Sequence, residues 1–129
     1  MFEDILSRIR PRIIETPLPD NLWGAYDLAT NTILMRPRMA PLQKRSTLSH
    51  ETAHAVLEHV GFSPRQERQA EELSASWLIN HAQFTAASQI YGTATALANE
   101  LDVLPRDIHA YMRILSRTQK QETQLWSPE

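Results

Sequence analysis

Two consecutive helical patterns between residues 41 and 80 constrain the fold of this 129-residue chain most. Pro41 suits the first turn of a helix, apolar or β-branched residues then recur every fourth position, and Gly61 supplies a C-terminal stop. The letters SPRQ at 63–66 form a capping-box pattern, so a second helix begins there and runs to about Asn80. We therefore predict two helices of several turns each that pack antiparallel through a short connection.

The flanking segments predict a small sheet and more helices. An N-terminal amphipathic helix stops at Pro11, RIIET (12–16) is typical of a strand, and LWGAYDL followed by TILMR is typical of a β-hairpin. Residues 82–101 predict two short helices divided near Gly92, and Pro105 opens a last helix. We expect an α+β fold with a small antiparallel sheet and a helical bundle. It forms one domain over residues 1–117, and a polar, flexible tail follows over 118–129.

The composition excludes several kinds of site and partner. The chain has no cysteine, which excludes disulfides, thiolate metal ligands and a cysteine nucleophile. The formal net charge of −2 gives no overall attraction to nucleic acid or to anionic lipid. The sequence shows neither a signal-peptide pattern nor an apolar run of membrane-spanning length, so we expect a cytoplasmic protein.

The first of the two helices carries the pattern His50-Glu51-x-x-His54. Residues four apart lie on one face of a helix, so the two imidazoles are placed to hold one metal ion. Glu51, beside the first histidine, is placed to take a proton from a water molecule that the ion polarises. The alternative interpretation is the solvated polar face of a helix.

The second helix supplies the candidate third ligand. A catalytic zinc takes three protein ligands and keeps one position for water. The extended pattern with a third histidine at position 60 fails, because that residue is Val60 and His59 is one position off. Glu67 lies about one turn into the second helix and is expected to face His54, so we predict it as the ligand. Glu71, one turn further along the same face, is predicted to accept the free ring N–H of a ligating histidine. The opposite assignment, with Glu71 as the ligand, remains an alternative.

These segments resemble the ImmA/IrrE family of zinc metallopeptidases, most closely its short actinobacterial and phage-associated members. The resemblance rests on YDLATNTILMRP leading into RSTLSHETAHAVLEH, on RQERQAEELSASWLI and on ALANELDVLPRDIHAYMRIL. It implies a zincin-like metallopeptidase fold with one Zn²⁺ held by His50, His54 and Glu67, with Glu71 at the position of an acid or amide that supports a histidine. It also implies that the substrate is a helix-turn-helix repressor of a mobile element or stress response.

We therefore predict a zinc-dependent endopeptidase that cleaves such a repressor and uses Glu51 as its general base. A donor for the oxyanion is expected from another element. Tyr26, Tyr91, His109 and Tyr111 are unranked candidates for it.

Two other functions stay open. One is a non-catalytic metal-binding protein that holds a partner without cutting it. The other is a DNA-binding regulator, because the pattern of residues 95–115 is typical of helix, turn, helix, and the second helix carries Arg106, His109, Arg113 and Arg117. Acidic residues offset these bases, so we expect a protein partner rather than nucleic acid.

Overall fold

The structure, a computed structural model, describes residues 2–19 and 21–125. Within these residues the elements follow in the order α1 (Phe2–Ile9), β1 (Arg12–Glu15), β2 (Gly24–Asp27), β3 (Thr32–Met35), α2 (Pro41–Val56), α3 (Pro64–Leu78), α4 (His81–Ser88), α5 (Ala94–Leu101) and α6 (Pro105–Leu125). The predicted α+β fold class is confirmed.

The three strands form a mixed sheet in the order β1-β3-β2. β2 and β3 make the predicted antiparallel hairpin, in which Tyr26 lies opposite Ile33. β1 runs parallel to β3, with Ile13 opposite Ile33, so the prediction of a purely antiparallel sheet was wrong for this strand. The reason is that the connection between β1 and β2 crosses to the other side of β3. This order leaves β2 at an edge of the sheet, next to α2.

Helix α2 lies at the centre of the fold and contacts α1, α3, β2 and β3. Its buried positions are small or polar rather than large and apolar, and include Ser49, Thr52 and Ala53. The Ser74 hydroxyl of α3 donates to the Ser49 hydroxyl of α2 at 2.7 Å. Small residues let the backbones approach closely, and this hydrogen bond satisfies two buried hydroxyls at the contact.

Helix α2 ends earlier than the sequence predicted. Its last residue is Val56, and Glu58 rather than Gly61 adopts the left-handed conformation that ends it, with φ of 53°. The His59 N–H donates to the His54 carbonyl, and the Glu58 N–H donates to the Ala55 carbonyl. These two bonds define a Schellman motif, which brings the residue after the turn back against the last turn of the helix.

Helices α3 to α6 form a bundle around one apolar cluster. Its large members are Ile79, Phe84, Leu97, Val103 and Ile108. The predicted N-cap of α3 is confirmed, since the Gln66 N–H donates to the Ser63 hydroxyl at 3.0 Å.

The C-terminal helix continues past residue 118, where the predicted tail begins. α6 reaches Leu125, and residues 126–129 lie outside the described residues. The division of the chain at residue 117 stays a prediction. None of the helices in the described part of the chain has the length and apolar character needed to cross a membrane.

Candidate metal centre

Two histidines of α2 and one glutamate of α3 converge on a single point. His50 Nε2 lies 3.1 Å from His54 Nε2, and Glu67 approaches both rings, with Oε2 at 3.1 Å from His50 Nε2 and Oε1 at 3.0 Å from His54 Nε2. The i, i+4 spacing on α2 aligns the imidazoles, and the contact between α2 and α3 brings the carboxylate to them. The structure therefore brings together the three residues that the sequence predicts as ligands.

This set of donor atoms fits a divalent metal ion. Two imidazole nitrogens and one carboxylate are a common ligand set of catalytic zinc sites, in which donors about 2.0–2.1 Å from one tetrahedral ion stand roughly 3.4 Å apart. The observed separations of 3.0 to 3.1 Å are close to that value. Lone pairs so close together repel each other unless a proton or a cation lies between them.

The electrostatics of the three groups agree with a site for positive charge. Side-chain contacts with the imidazoles of His50 and His54 hold the pKa of Glu67 far below its ordinary value. Burial lowers the pKa of His50, but the hydrogen bond with Glu67 and the charges of Glu51 and Glu67 outweigh it, so the pKa lies above its ordinary value. The two carboxylates therefore stabilise a cation at this point.

Glu51 lies beside the converging donors and has a different environment. Only 5% of the residue is exposed, and no described residue makes a hydrogen bond or ion pair with its carboxylate. One of its oxygens lies within 4.8 Å of a ring nitrogen of each histidine. Burial raises the pKa of Glu51. A carboxylate of a buried residue that makes no hydrogen bond or ion pair with the described residues, next to a metal-type cluster, has the properties of a general base.

Glu71 and Glu72 pair with arginines of α6, and Glu71 also lines a cavity of about 120 Å³ with His50 and Glu67. Arg113 donates to Glu71 at 3.1 Å and to Glu72 at 3.3 Å, and Arg117 also pairs with Glu72. Within the described residues Glu71 makes no hydrogen bond to a histidine. The predicted role of Glu71 as a support for a histidine therefore stays a prediction. The helical position of Glu72 predicts a solvated side chain, but only 12% of that side chain is exposed because the two arginines cover it.

The contact expected of Glu71 is made instead by a residue that sequence reasoning left out. His59 Nδ1 lies 3.0 Å from His54 Nδ1, and His59 Nε2 lies 3.1 Å from Gln69 Oε1. His59 is 8% exposed. Burial lowers the pKa of His59. No spacing rule points to this contact, because it depends on the turn at Glu58.

A cleft of about 260 Å³ opens above these residues, between the edge strand β2 and the connection from α2 to α3. Gly24 of β2 lies against its floor, where a Cβ would stand 2.8 Å from Thr47 Cγ2 and 3.0 Å from Glu51 Cγ. The close approach of β2 to Glu51 therefore requires glycine at this position. A glycine inside a predicted strand is the sequence signal that indicates such an approach.

Arg106, at the start of α6, also lines the cleft. Its Nε and Nη2 donate to Ser46 Oγ at 3.2 and 3.1 Å, and Nη2 donates to Thr47 Oγ1 at 3.2 Å. Among the described residues, none accepts from its Nη1 and no carboxylate lies within ion-pair distance. Its charge partly offsets the effect of burial on the pKa of Glu51. The guanidinium is thus a fixed donor beside the cleft with one free nitrogen.

The four oxyanion candidates from the sequence lie in different places. Tyr26 lines the cleft. Tyr111 packs on Phe84 inside the helical bundle, Tyr91 borders a separate surface groove, and His109 is on the exposed side of α6. Of the four, Tyr26 lines the same cleft as the metal-type cluster, and its hydroxyl donates to Asn31 Oδ1 at 2.8 Å.

Comparison with protein families gives a match that covers most of the chain. The peptidase family Peptidase_M78, described as the IrrE N-terminal-like domain, matches residues 8–106. Comparison with curated proteins yields no significant match. The matched range includes both histidines, Glu51 and Glu67. The chain therefore belongs to this family of metallopeptidases with a zincin-like fold, and the resemblance noted in the sequence is confirmed.

Proposed function

We propose that this member of the IrrE N-terminal-like peptidase family is a zinc-dependent endopeptidase of the cytoplasm that cleaves a helix-turn-helix repressor. One observation carries the proposal. The buried Glu51, which makes no hydrogen bond or ion pair with the described residues, lies beside two imidazole nitrogens 3.1 Å apart, and each of these nitrogens lies 3.0 to 3.1 Å from one oxygen of Glu67, at the base of an open cleft.

His50, His54 and Glu67 are the proposed metal ligands. A neutral imidazole nitrogen and a carboxylate oxygen suit Zn²⁺ well, and three protein ligands keep a coordination position open. Zinc in such a site supplies Lewis acidity toward a water molecule and toward the scissile carbonyl.

Glu51 acts as the general base in this proposal. Its carboxylate accepts a proton from the attacking water and passes that proton to the leaving amine nitrogen. The resemblance noted in the sequence supports the same role, because Glu51 directly follows the first histidine of the pattern His50-Glu51-x-x-His54.

Arg106 is the proposed donor to the carbonyl oxygen of the scissile bond. Its other nitrogens are fixed by Ser46 and Thr47, so the free Nη1 is oriented before substrate binds. Thr47 precedes Glu51 by one helical turn, which places the guanidinium on the same side of α2 as the base. The substrate is proposed to extend along β2, which lies at an edge of the sheet and lines the cleft.

The choice of a repressor as substrate rests on the resemblance to ImmA/IrrE peptidases. The charge distribution counts against the DNA-binding alternative, because Arg113 and Arg117 are paired with Glu71 and Glu72 and are not free for phosphates. The unpartnered Glu51 counts against a purely structural metal site, which has no use for a base beside its ligands.

The test compares the wild type with Glu51→Gln, a variant of nearly the same shape that lacks the base. Each is loaded with zinc and incubated with a panel of purified helix-turn-helix repressors, and products are detected by intact-mass spectrometry. We expect wild-type protein to cut a repressor at one bond, and Glu51→Gln to hold equal zinc but cut at least about 100-fold more slowly. Equal cutting by Glu51→Gln contradicts the assigned role. A repressor that binds but is never cut favours the non-catalytic alternative.

A further inference from the structure

Three side chains form a hydrogen-bonded chain that leads from the protein surface to the candidate metal centre. Gln69 of α3 contacts His59, and His59 contacts His54, with atom separations of 3.1 and 3.0 Å. His54 and His59 are 6% and 8% exposed, while Gln69 lies at the surface. The far nitrogen of His54 then faces His50 and Glu67.

The donor and acceptor in each of these contacts follow from Gln69, which lies at the outer end of the three side chains. Gln69 Oε1 only accepts hydrogen bonds, so His59 Nε2 must carry the proton of that bond. A neutral imidazole has one N–H, which leaves a lone pair on His59 Nδ1. The contact between the two Nδ1 atoms therefore requires the proton to be on His54. A neutral His54 with its proton on Nδ1 presents the lone pair of Nε2 to the site.

The turn after α2 is what makes the contact possible. In the Schellman motif the residue after the left-handed position packs back on the helix, and the residues that meet here are His59 and His54. An apolar pair is usual at these two positions. Here the two positions hold His54 and His59, which form a hydrogen bond. An apolar contact would be enough to stabilise the turn.

We propose that His59 and Gln69 are positioning residues that fix His54 in the tautomer whose Nε2 lone pair faces the metal site. The inference rests on the proposed role of His54 as a metal ligand. In this inference His59 and Gln69 support the ligating His54, a role that the sequence predicts for Glu71. Outer partners of a ligating histidine typically contribute 10- to 100-fold to metal affinity.

The test measures zinc affinity by competition with a chelating dye, so it requires no substrate. In His59→Asn the side-chain oxygen stands at the position of Nδ1 and still accepts from His54, whereas His59→Leu fills a similar space without an acceptor. We expect zinc to bind about 10- to 100-fold more weakly to His59→Leu, and His59→Asn to recover most of that loss.

The surface residue gives a second pair of variants that leaves the buried ring in place. Gln69→Glu keeps an acceptor for His59, and Gln69→Leu removes it. We expect Gln69→Glu to bind zinc at least as tightly as the wild type and Gln69→Leu to bind it more weakly. Circular dichroism of the metal-free variants checks that each is folded. Nitrogen-15 NMR of the zinc-loaded wild type is expected to show protons on Nδ1 of His54 and on Nε2 of His59.

Two results separate failure of this inference from failure of the proposed function. If the wild type binds zinc and the folded variants His59→Leu and Gln69→Leu bind it with the same affinity, the inference alone is overturned. An NMR spectrum that shows no proton on Nε2 of His59 has the same consequence. A wild-type chain that binds no zinc overturns the metal site itself and this inference with it.

Discussion

Gly24 gives the most direct test of how the sheet and the candidate base are arranged. A Cβ at this position would stand 2.8 Å from Thr47 Cγ2, 3.0 Å from Glu51 Cγ and 3.1 Å from the Leu34 carbonyl oxygen. Carbon atoms pack best about 3.5–4.0 Å apart, so the methyl group of Gly24→Ala overlaps both side chains by about 0.5–1 Å. The Leu34 carbonyl cannot move away without disturbing the pairing of β2 with β3.

The overlap has a predictable cost. Overpacking of this size destabilises a protein by about 1–3 kcal/mol. Relief of the clash moves Glu51, and a displacement of about 1 Å in a catalytic group lowers activity roughly 100-fold. We therefore expect Gly24→Ala to lose about 1–3 kcal/mol in free energy of unfolding and about two orders of magnitude in kcat/KM.

Gly92→Ala is the matched control. Apart from its chain neighbours, no atom of the described residues lies within 4 Å of a Cβ built on Gly92, and the φ of Gly92 is not in the left-handed region. This variant is expected to match the wild type or to gain up to about 1 kcal/mol, because alanine restricts the unfolded chain. Urea unfolding of the metal-free proteins, followed by circular dichroism, measures both. Wild-type stability and activity in Gly24→Ala would refute the close approach of β2 to α2.

Three further predictions concern other parts of the structure. Glu58→Gly is expected to raise the free energy of unfolding by about 0.5–1 kcal/mol in urea, because Glu58 has a left-handed φ of 53° that glycine adopts without strain; a loss of stability contradicts this. Hydrogen bonds from Arg117 and Arg113 hold the pKa of Glu72 below its ordinary value of 4.5, so its stabilising effect is complete above that pH and is lost as the pH falls through the lowered pKa. Thermal melts between pH 5 and pH 3 are therefore expected to show a smaller acid-induced loss in Glu72→Gln than in the wild type, and parallel curves argue against the ion pairs. Arg106→Gln is expected to lower kcat by about 100- to 1000-fold and to leave zinc affinity unchanged, and a wild-type rate excludes Arg106 as the carbonyl donor.

Local patterns in the sequence predicted the parts of the fold that depend on nearby residues. Ser63 and Pro64 marked the start of α3, and Pro105 opened α6, because caps and prolines act within one turn. The same reasoning placed Glu67 at the histidines, since the i, i+4 pair on α2 and the short connection to α3 leave few other positions for a third donor. The structure agrees with that placement.

Features that depend on distant packing could not be predicted in this way. The parallel pairing of β1 with β3 results from a crossover that no local pattern encodes. Glu71 has the right spacing for the histidines, but Arg113, more than forty residues later, pairs with it. The contact of His59 with His54 could not be predicted either, because it requires a left-handed residue at Glu58, a conformation that glutamate rarely adopts.

The central claim is that His50, His54 and Glu67 hold one zinc ion. The most direct measurement is the metal content per chain, by inductively coupled plasma mass spectrometry, of the purified wild type, Glu67→Ala and Glu71→Ala. The two variants remove the same chemical group one helical turn apart, so each is the control for the other. We predict close to one zinc in the wild type and in Glu71→Ala, and much less in Glu67→Ala. Full zinc in Glu67→Ala, or none in the wild type, would contradict the proposed site.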